Sequence, residues 1–507
     1  MNMANTLREL LDAGADSASA IGAERRADLT HGGLRDFAAK VVADLNGFGI
    51  GRNDRVAIVL PNGPEMATAF LTVACGATTA PLNPAYRADE FDFYLDDLNA
   101  KALIVADDYD GAAVAAAEKR GIAILRLTPR TGDAAGLFDL SGAAGASAPT
   151  SGGMAQPDDV ALVLHTSGTT SRPKIVPLSQ ANVAASARHI RAALDLTAAD
   201  RCLNIMPLFH IHGLIAAVLS SVGAGASVWC SPGFNALRFF GWMEVAKPNW
   251  YTAVPTMHQA ILSRAGRNAD LIAAQPLRLI RSSSSSLPPQ VMAELEATFG
   301  CPVIESYGMT EAAHQMASNP LPPAARKPGS VGIAAGPEVG IMDPDGTIME
   351  RGATGEIVIR GPNVTAGYEA NPKANAENFT NGWFRTGDQG VLDPDGYLSI
   401  TGRLKEIINR GGEKISPREV DEVLMDHEAV AQVVTFAMPH PKLGEEVAAA
   451  VVLREGATAT EREIRDFVAT RLADFKVPRK LLILDEIPKG ATGKLQRIGL
   501  AEKLGLV

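Results

Sequence analysis

Short apolar strands alternate with helical stretches through the first part of the chain. A β-rich stretch holding two Asp-Pro-Asp-Gly turns follows, and a helix-and-strand segment closes the sequence. Together these predict an α/β plus α+β protein. The expected architecture is a large N-terminal domain of layered sheets and helices with a β-rich subdomain, joined to a small, mobile C-terminal α+β domain. The boundaries read as 1–402 for the large domain, with the β-rich part over about 325–402. A hinge follows at 403–405 and the small domain spans 406–507. A length of 507 residues exceeds what one compact core holds, so more than one domain is required.

The elements follow in order. Asn5 to Leu11 starts a short helix, and Leu34 to Phe48 carries Leu34, Phe37, Ala38, Val41 and Leu45 near helical spacing. Asp54 to Leu60 reads as a strand stopped by Pro61-Asn62-Gly63-Pro64, and Glu65 to Cys75 returns to helix. Ala102 to Ala106 and Ile122 to Leu127 are strands around a helix at Ala112 to Arg120. Strand and helix in alternation imply a mostly parallel sheet. Ser141 to Met154 is a Gly-, Ala- and Ser-rich linker. Ser179 is an N-cap for a helix through Leu194. Strands are expected at Arg201 to Met206, Ala226 to Cys230, Trp250 to Val254, Leu277 to Arg281 and Pro302 to Ser306. A helix over Val291 to Phe299 starts at Pro288-Pro289. Val339 to Met342, Glu356 to Ile359 and Gly396 to Ile400 are the short strands of the β-rich part. Glu419 to Met425 and Thr460 to Leu472 are the helices of the last segment, with strands at Val430 to Phe436 and Glu446 to Leu453.

Composition narrows the function. A net charge of −10 argues against a nonspecific nucleic-acid or membrane binder, while leaving room for a local patch that meets an anionic small molecule. The N-terminus has no basic stretch leading into an apolar one, and no apolar run is long enough to span a bilayer. Cys75, Cys202, Cys230 and Cys301 show no ligand spacing, which reads as a reduced, cytoplasmic protein. Its expected partners are small molecules, with the chain a monomer or homodimer.

The chemistry is concentrated at Leu162 to Leu178. A buried strand leads into Thr166, Ser167, Gly168, Thr169, Thr170 and Ser171, and Arg172 and Lys174 flank Pro173. Small and hydroxylated residues let backbone N–H groups and side-chain hydroxyls face one anion, and Lys174 adds a point charge. The spacing is not that of a Walker loop, and alone it also reads as an ordinary Ser/Thr-rich turn. Further along stand Tyr307-Gly308-Met309-Thr310-Glu311, Trp383-Phe384-Arg385-Thr386-Gly387-Asp388, Gly402-Arg403-Leu404-Lys405-Glu406 and Pro488-Lys489-Gly490-Ala491-Thr492-Gly493-Lys494.

Several motifs in this order, over nearly the whole chain, resemble those of the adenylate-forming acyl-CoA synthetases. Within that superfamily the chain is most similar to the oxalyl-CoA synthetases. The resemblance implies two half-reactions: ATP and a carboxylate give an acyl-adenylate and pyrophosphate, then coenzyme A displaces AMP. It implies that Thr166 to Lys174 clamps the β and γ phosphates, Tyr307 stacks on adenine, and Thr310 contacts the α-phosphate. Glu311 would hold Mg²⁺, Asp388 would accept from both ribose hydroxyls, and Arg403 would contact the nucleotide. Lys405 would be the hinge. One pose would bring Lys494 onto the α-phosphate. The other would bring Gly411 and Gly412, which let backbone pass close to a ligand, against coenzyme A. The family usually has glycine where this chain has Ser171 and Ile175, which implies a stiffer loop on the Lys174 side.

The acyl pocket is expected between Pro207-Leu208-Phe209-His210 and the serine run Ser282 to Ser286, closed by the loop after Tyr307. Fatty-acyl members line this space with glycine and apolar residues. Here His210, Ser283, Ser284, Ser285 and His314 stand instead, and buried hydroxyls and imidazoles need polar partners. A small, doubly oxygenated acid supplies them, with oxalate the best match. The rivals are a malonate or other short-chain acyl-CoA ligase, an adenylation domain feeding a carrier protein, and an inactive scaffold homologue. Arg281 is the single arginine of the pocket stretches, with a side-chain direction not readable from sequence, and His212 reads as structural.

Overall fold

The computed structural model describes residues 4–143, 148–166, 173–489 and 495–507. The expected strand–helix alternation is present but is divided between two sheets. The first has seven strands, ordered Phe138–Ser141, Ala123–Pro129, Ala102–Ala106, Arg55–Val59, Thr78–Pro81, Val160–Thr166, Lys174–Ser179. The second has nine; its centre runs Val303–Met309, Leu279–Ser282, Trp250–Ala253, Arg201–Asn204, Ser227–Cys230, all parallel. Periodicity registers helix and strand but not which sheet a strand joins, because sheet choice is a long-range pairing.

Between and around the sheets pack helices whose burial follows their patterning. His31–Gly47 buries Leu34, Phe37, Ala38, Val41 and Leu45, the face expected from sequence. Pro64–Val73 buries every residue from Met66 to Val73. Ser179 caps Gln180–Ala193 by accepting from the Asn182 N–H, as its position before the helix requires. The segment after His210, which carries no clear helical signal, forms a wholly buried π-helix, His212–Leu219. Its wide turns place His212 at the entry to the core, a position where such irregular helices often accompany a functional site.

Two boundaries differ from the sequence reading in ways that matter. The strand expected to stop at Ser306 runs on through Tyr307 and Gly308 to Met309, turns tightly over Thr310–Ala312, and returns antiparallel as His314–Ser318. Gly308 permits this, since a Cβ there would meet the His314 carbonyl oxygen at 1.8 Å. In the β-rich part, a five-stranded sheet, Leu398–Arg403 pairs with Trp383–Leu392 and sets Arg403 opposite Asp388. That strand crosses the expected edge at residue 402.

The last segment forms its own five-stranded sheet around Val430–His440 and Gly444–Leu453, covered by Pro417–Met425 and Glu461–Ala469. Gly411 and Gly412 form the tip of the hairpin between Ile408–Arg410 and Glu413–Ile415, at φ of +59° and +101°. Side chains with a Cβ rarely adopt that backbone. Among the described residues, no helix is long and apolar enough to cross a membrane.

Candidate active site

The phosphate-loop candidates divide at the edge of what is described. Thr166 ends one strand and Lys174 begins its antiparallel partner, directly opposite it. Ser167, Gly168, Thr169, Thr170 and Ser171 lie outside the described residues, as does Lys494. Ile175, opposite His165 on this hairpin, is buried in an apolar cluster with Val163 and Val59. Isoleucine at that point thus serves the core.

Lys174 Nζ stands 4.3 Å above the Tyr368 ring, and the Tyr368 hydroxyl donates to Glu311 Oε1 at 2.8 Å. A cation over an aromatic face and a charge-assisted hydrogen bond thus join loop lysine to turn carboxylate. Glu311 is buried, and burial raises its pKa, against the opposing pull of the Tyr368 hydroxyl and Lys174. Lys174 is shifted down, by burial foremost. Thr310, half-buried, begins the turn that carries Glu311.

A second cluster adjoins along the same strand. The Tyr307 hydroxyl donates to one oxygen of Asp388, and Arg403 Nε donates to the other at 3.0 Å. The Asp388 carboxylate raises the Arg403 pKa. Each carboxylate oxygen has two lone-pair sites, so Asp388 keeps capacity for two further donors. Leu404 N–H donates to the Gly387 carbonyl, and Lys405 sits on the exposed turn just beyond. Beneath this turn Arg497 pairs with Glu406 at 3.3 Å and Asp421 at 2.7 Å. A cavity of about 460 Å³, lined by Lys405, Glu406, Ile407, Glu445 and Arg497 among others, opens there.

The acyl-side candidates are brought together only in part. Ser284 Oγ lies 3.0 Å from His212 Nδ1, and the His212 and His314 rings stack with centroids 5.0 Å apart. Ser283 instead donates to the Ser306 carbonyl at 3.1 Å, and Ser285 to the carbonyl of Ser284 at 2.9 Å. His210 Nδ1 accepts from the His212 N–H at 3.3 Å. Ser284 at φ +73° and His314 at φ +105° occupy backbone regions unusual for residues with a Cβ, and such strain gathers at ligand sites.

Two residues join this cluster that sequence reasoning did not assign to it. His212, read as structural, touches Thr252 Oγ1 at 2.6 Å through Nε2. Arg281, fully buried, sends NH1 toward His314 Nε2 at 3.2 Å and His212 Nε2 at 3.4 Å, and NH2 to Gln315 Oε1 at 3.3 Å. A signal existed: Arg281 interrupts an apolar strand immediately before the serine run. A charge on a central strand is costly unless something nearby uses it.

The AMP-binding enzyme family matches residues 12–369 and the AMP-binding enzyme C-terminal domain matches 419–494. An oxalate–CoA ligase of Arabidopsis thaliana is 48% identical over 94% of each chain. One of Saccharomyces cerevisiae is 42% identical over 89% of this chain and 87% of that one. The crystal structure of ATP-bound MatB from Rhodopseudomonas palustris superposes with a TM-score of 0.88 at 29% identity, covering 99% of each chain. The paired Tyr307–Asp388–Arg403 and the Lys174–Tyr368–Glu311 cluster therefore sit in a member of the AMP-binding enzyme family, an AMP-forming acyl-CoA ligase.

Proposed function

We propose that the chain joins oxalate to coenzyme A. A carboxylate oxygen of oxalate attacks the α-phosphorus of ATP, and pyrophosphate leaves. The thiolate of coenzyme A then attacks the oxalyl carbonyl, and AMP leaves. The observation that carries the choice of acid is the cluster of buried His212, Arg281 and His314 with half-buried Ser284, which offers polar groups where a fatty acid would need an apolar wall. The identity to the two oxalate–CoA ligases supports it.

In this reading Asp388 accepts from the ribose hydroxyls while Arg403 and the Tyr307 hydroxyl hold its carboxylate in place, and the Tyr307 ring offers its face to adenine. Lys174, with Thr166 and the loop Ser167, Gly168, Thr169 and Thr170, clamps the β and γ phosphates. Thr310 donates to the α-phosphate. No group of three or more metal-ligating side chains exists among the described residues. Glu311 fits Mg²⁺, which commonly takes one or two carboxylates and completes its shell with phosphates and water. When bound, that ion would neutralise phosphate charge. Lys494 approaches the α-phosphate for adenylation and leaves as the chain pivots at Lys405, bringing Gly411 and Gly412 against the pantetheine arm. His210, Ser283, Ser284, Ser285 and His314 surround the acid. The same reading places the enzyme in the cytoplasm, supported by four free, buried cysteines.

The test is AMP formation from a panel of acids, with and without coenzyme A. The expected order of kcat/KM is oxalate, then glyoxylate or glycolate, then acetate, with malonate below oxalate and medium-chain fatty acids inactive. A wild-type preference for acetate or a fatty acid overturns the oxalate reading.

A further inference from the structure

Arg281 stands out from the other buried charges of the protein. Its side chain is fully buried on the strand Leu279–Ser282, between Trp250–Ala253 and Val303–Met309 at the middle of the nine-stranded sheet. Three residues earlier, Arg278 pairs with Asp200 at 2.8 Å. Arg281 makes no ion pair among the described residues, and its Nε has no hydrogen-bond partner there. Its neighbours are two imidazoles, the Thr252 hydroxyl and the Gln315 amide oxygen, none of which carries negative charge. Burial moves its pKa down to about 9, so the guanidinium is still charged at neutral pH.

A guanidinium only donates. His314 Nε2, 3.2 Å from NH1, must therefore present its lone pair, which leaves the ring proton on Nδ1. His212 Nε2 lies within reach of both NH1 and the Thr252 hydroxyl, and with the same tautomer its Nδ1–H donates to Ser284 Oγ at 3.0 Å. The cluster reaches from a sealed interior at Arg281 to a half-buried rim at Ser284, and among the described residues the Arg281 charge has no carboxylate partner. A buried charge without a counter-ion is unfavourable, and an anion arriving at the rim removes that penalty. Low-dielectric surroundings extend its reach across the stacked rings.

We infer that Arg281 is a positioning residue that sets acid selectivity, orienting His314 and His212 and supplying the positive charge that favours an acid with a second carboxylate. This rests on the oxalate reading and deepens it. An acid with one carboxylate spends that group on the α-phosphorus and leaves the cation uncompensated. Oxalate retains a second carboxylate for it. Arg281 does not touch the reacting atoms and acts through the rings.

The test uses the full-length enzyme with ATP, coenzyme A and either oxalate or acetate. Arg281→Met should raise KM for oxalate by roughly 100-fold, with KM for ATP within about threefold of wild type and acetate kcat/KM falling by no more than a fewfold. Arg281→Lys, which keeps the charge but loses the fork, should hold KM for oxalate within about tenfold of wild type. Thermal melting identifies a variant that has simply unfolded. If Arg281→Met unfolds, Arg281→Gln, which retains amide donors without charge, carries the same comparison. Equal loss with both acids, or Arg281→Lys no better than the uncharged variant, overturns the role of Arg281. A wild type that prefers oxalate with an uncharged variant that keeps this preference also overturns it, while the oxalate reading stands. A wild type that prefers acetate overturns both.

Discussion

The nucleotide side and the acyl side of this site balance charge in opposite ways. On the nucleotide side each carboxylate already has its partners: Asp388 holds Tyr307 and Arg403, and Glu311 holds Tyr368 with Lys174 above the same ring. On the proposed acyl side a fully buried guanidinium meets no carboxylate among the described residues. A paired site is preorganised, so its groups need little rearrangement when ligand arrives. An unpaired buried charge is a demand that only an incoming ion satisfies. In the proposed function, the first arrangement serves any acyl-adenylate chemistry, and the second chooses the acid.

That contrast predicts which substitutions are blind to the acid. The largest effect belongs to Lys494→Ala, which should slow adenylation by roughly a thousandfold with every acid. Turnover of supplied oxalyl-adenylate with coenzyme A should stay close to wild type. Measuring the half-reactions separately checks this, and equal loss in both removes the two-pose scheme. Next, Asp388→Asn weakens the hold on Tyr307 and Arg403, so KM for ATP should rise about 100-fold while the ratio of oxalate to acetate turnover does not move. A changed ratio would show that the two sides are not separable.

His314→Ala should act the other way, reducing oxalate kcat/KM by about 30-fold and acetate by only a fewfold, read from the same steady-state panel. Equal losses would break the assignment of acid choice to this cluster. The smallest effect is expected at Glu305, which shares a strand with Tyr307. Its carboxyl is buried with Oε2 unpartnered, and burial raises its pKa to about 7. The folded state therefore holds a proton that the unfolded chain releases nearer 4.5. The resulting stability is fully present below that lower value and is lost as pH rises through about 7. Glu305→Gln, neutral throughout, should melt a few degrees higher than wild type at pH 8, with the gap closing toward pH 5. Melting curves that stay parallel across that range would remove Glu305 as the source.

Much of this architecture is legible in the chain. Leu34, Phe37, Ala38, Val41 and Leu45 mark the buried face of one helix, and Ser179 marks the start of another, because spacing and capping are local physics. The nucleotide motifs are equally readable, since each is a short run on one strand end or turn. The acyl side is harder. Ser283, Ser284 and Ser285 are adjacent in sequence, yet one bonds to Ser306, one to His212 and one to its neighbour's carbonyl. Successive backbone directions, including the positive φ at Ser284, decide that, and composition is silent about them.

The sequence by itself determined the family and, with it, the AMP-forming ligase chemistry, because contiguous motifs carry them; it also supplied the residues proposed to meet ATP. Only the tertiary structure decided that His212 joins Ser284 and His314, that the strand through Tyr307 turns back to set His314 against Met309, and that Arg281 points at both rings. Those three segments are brought together by parallel and antiparallel pairing between distant strands. The direction of a side chain on a strand depends on register, which is settled by the whole sheet rather than by the residue.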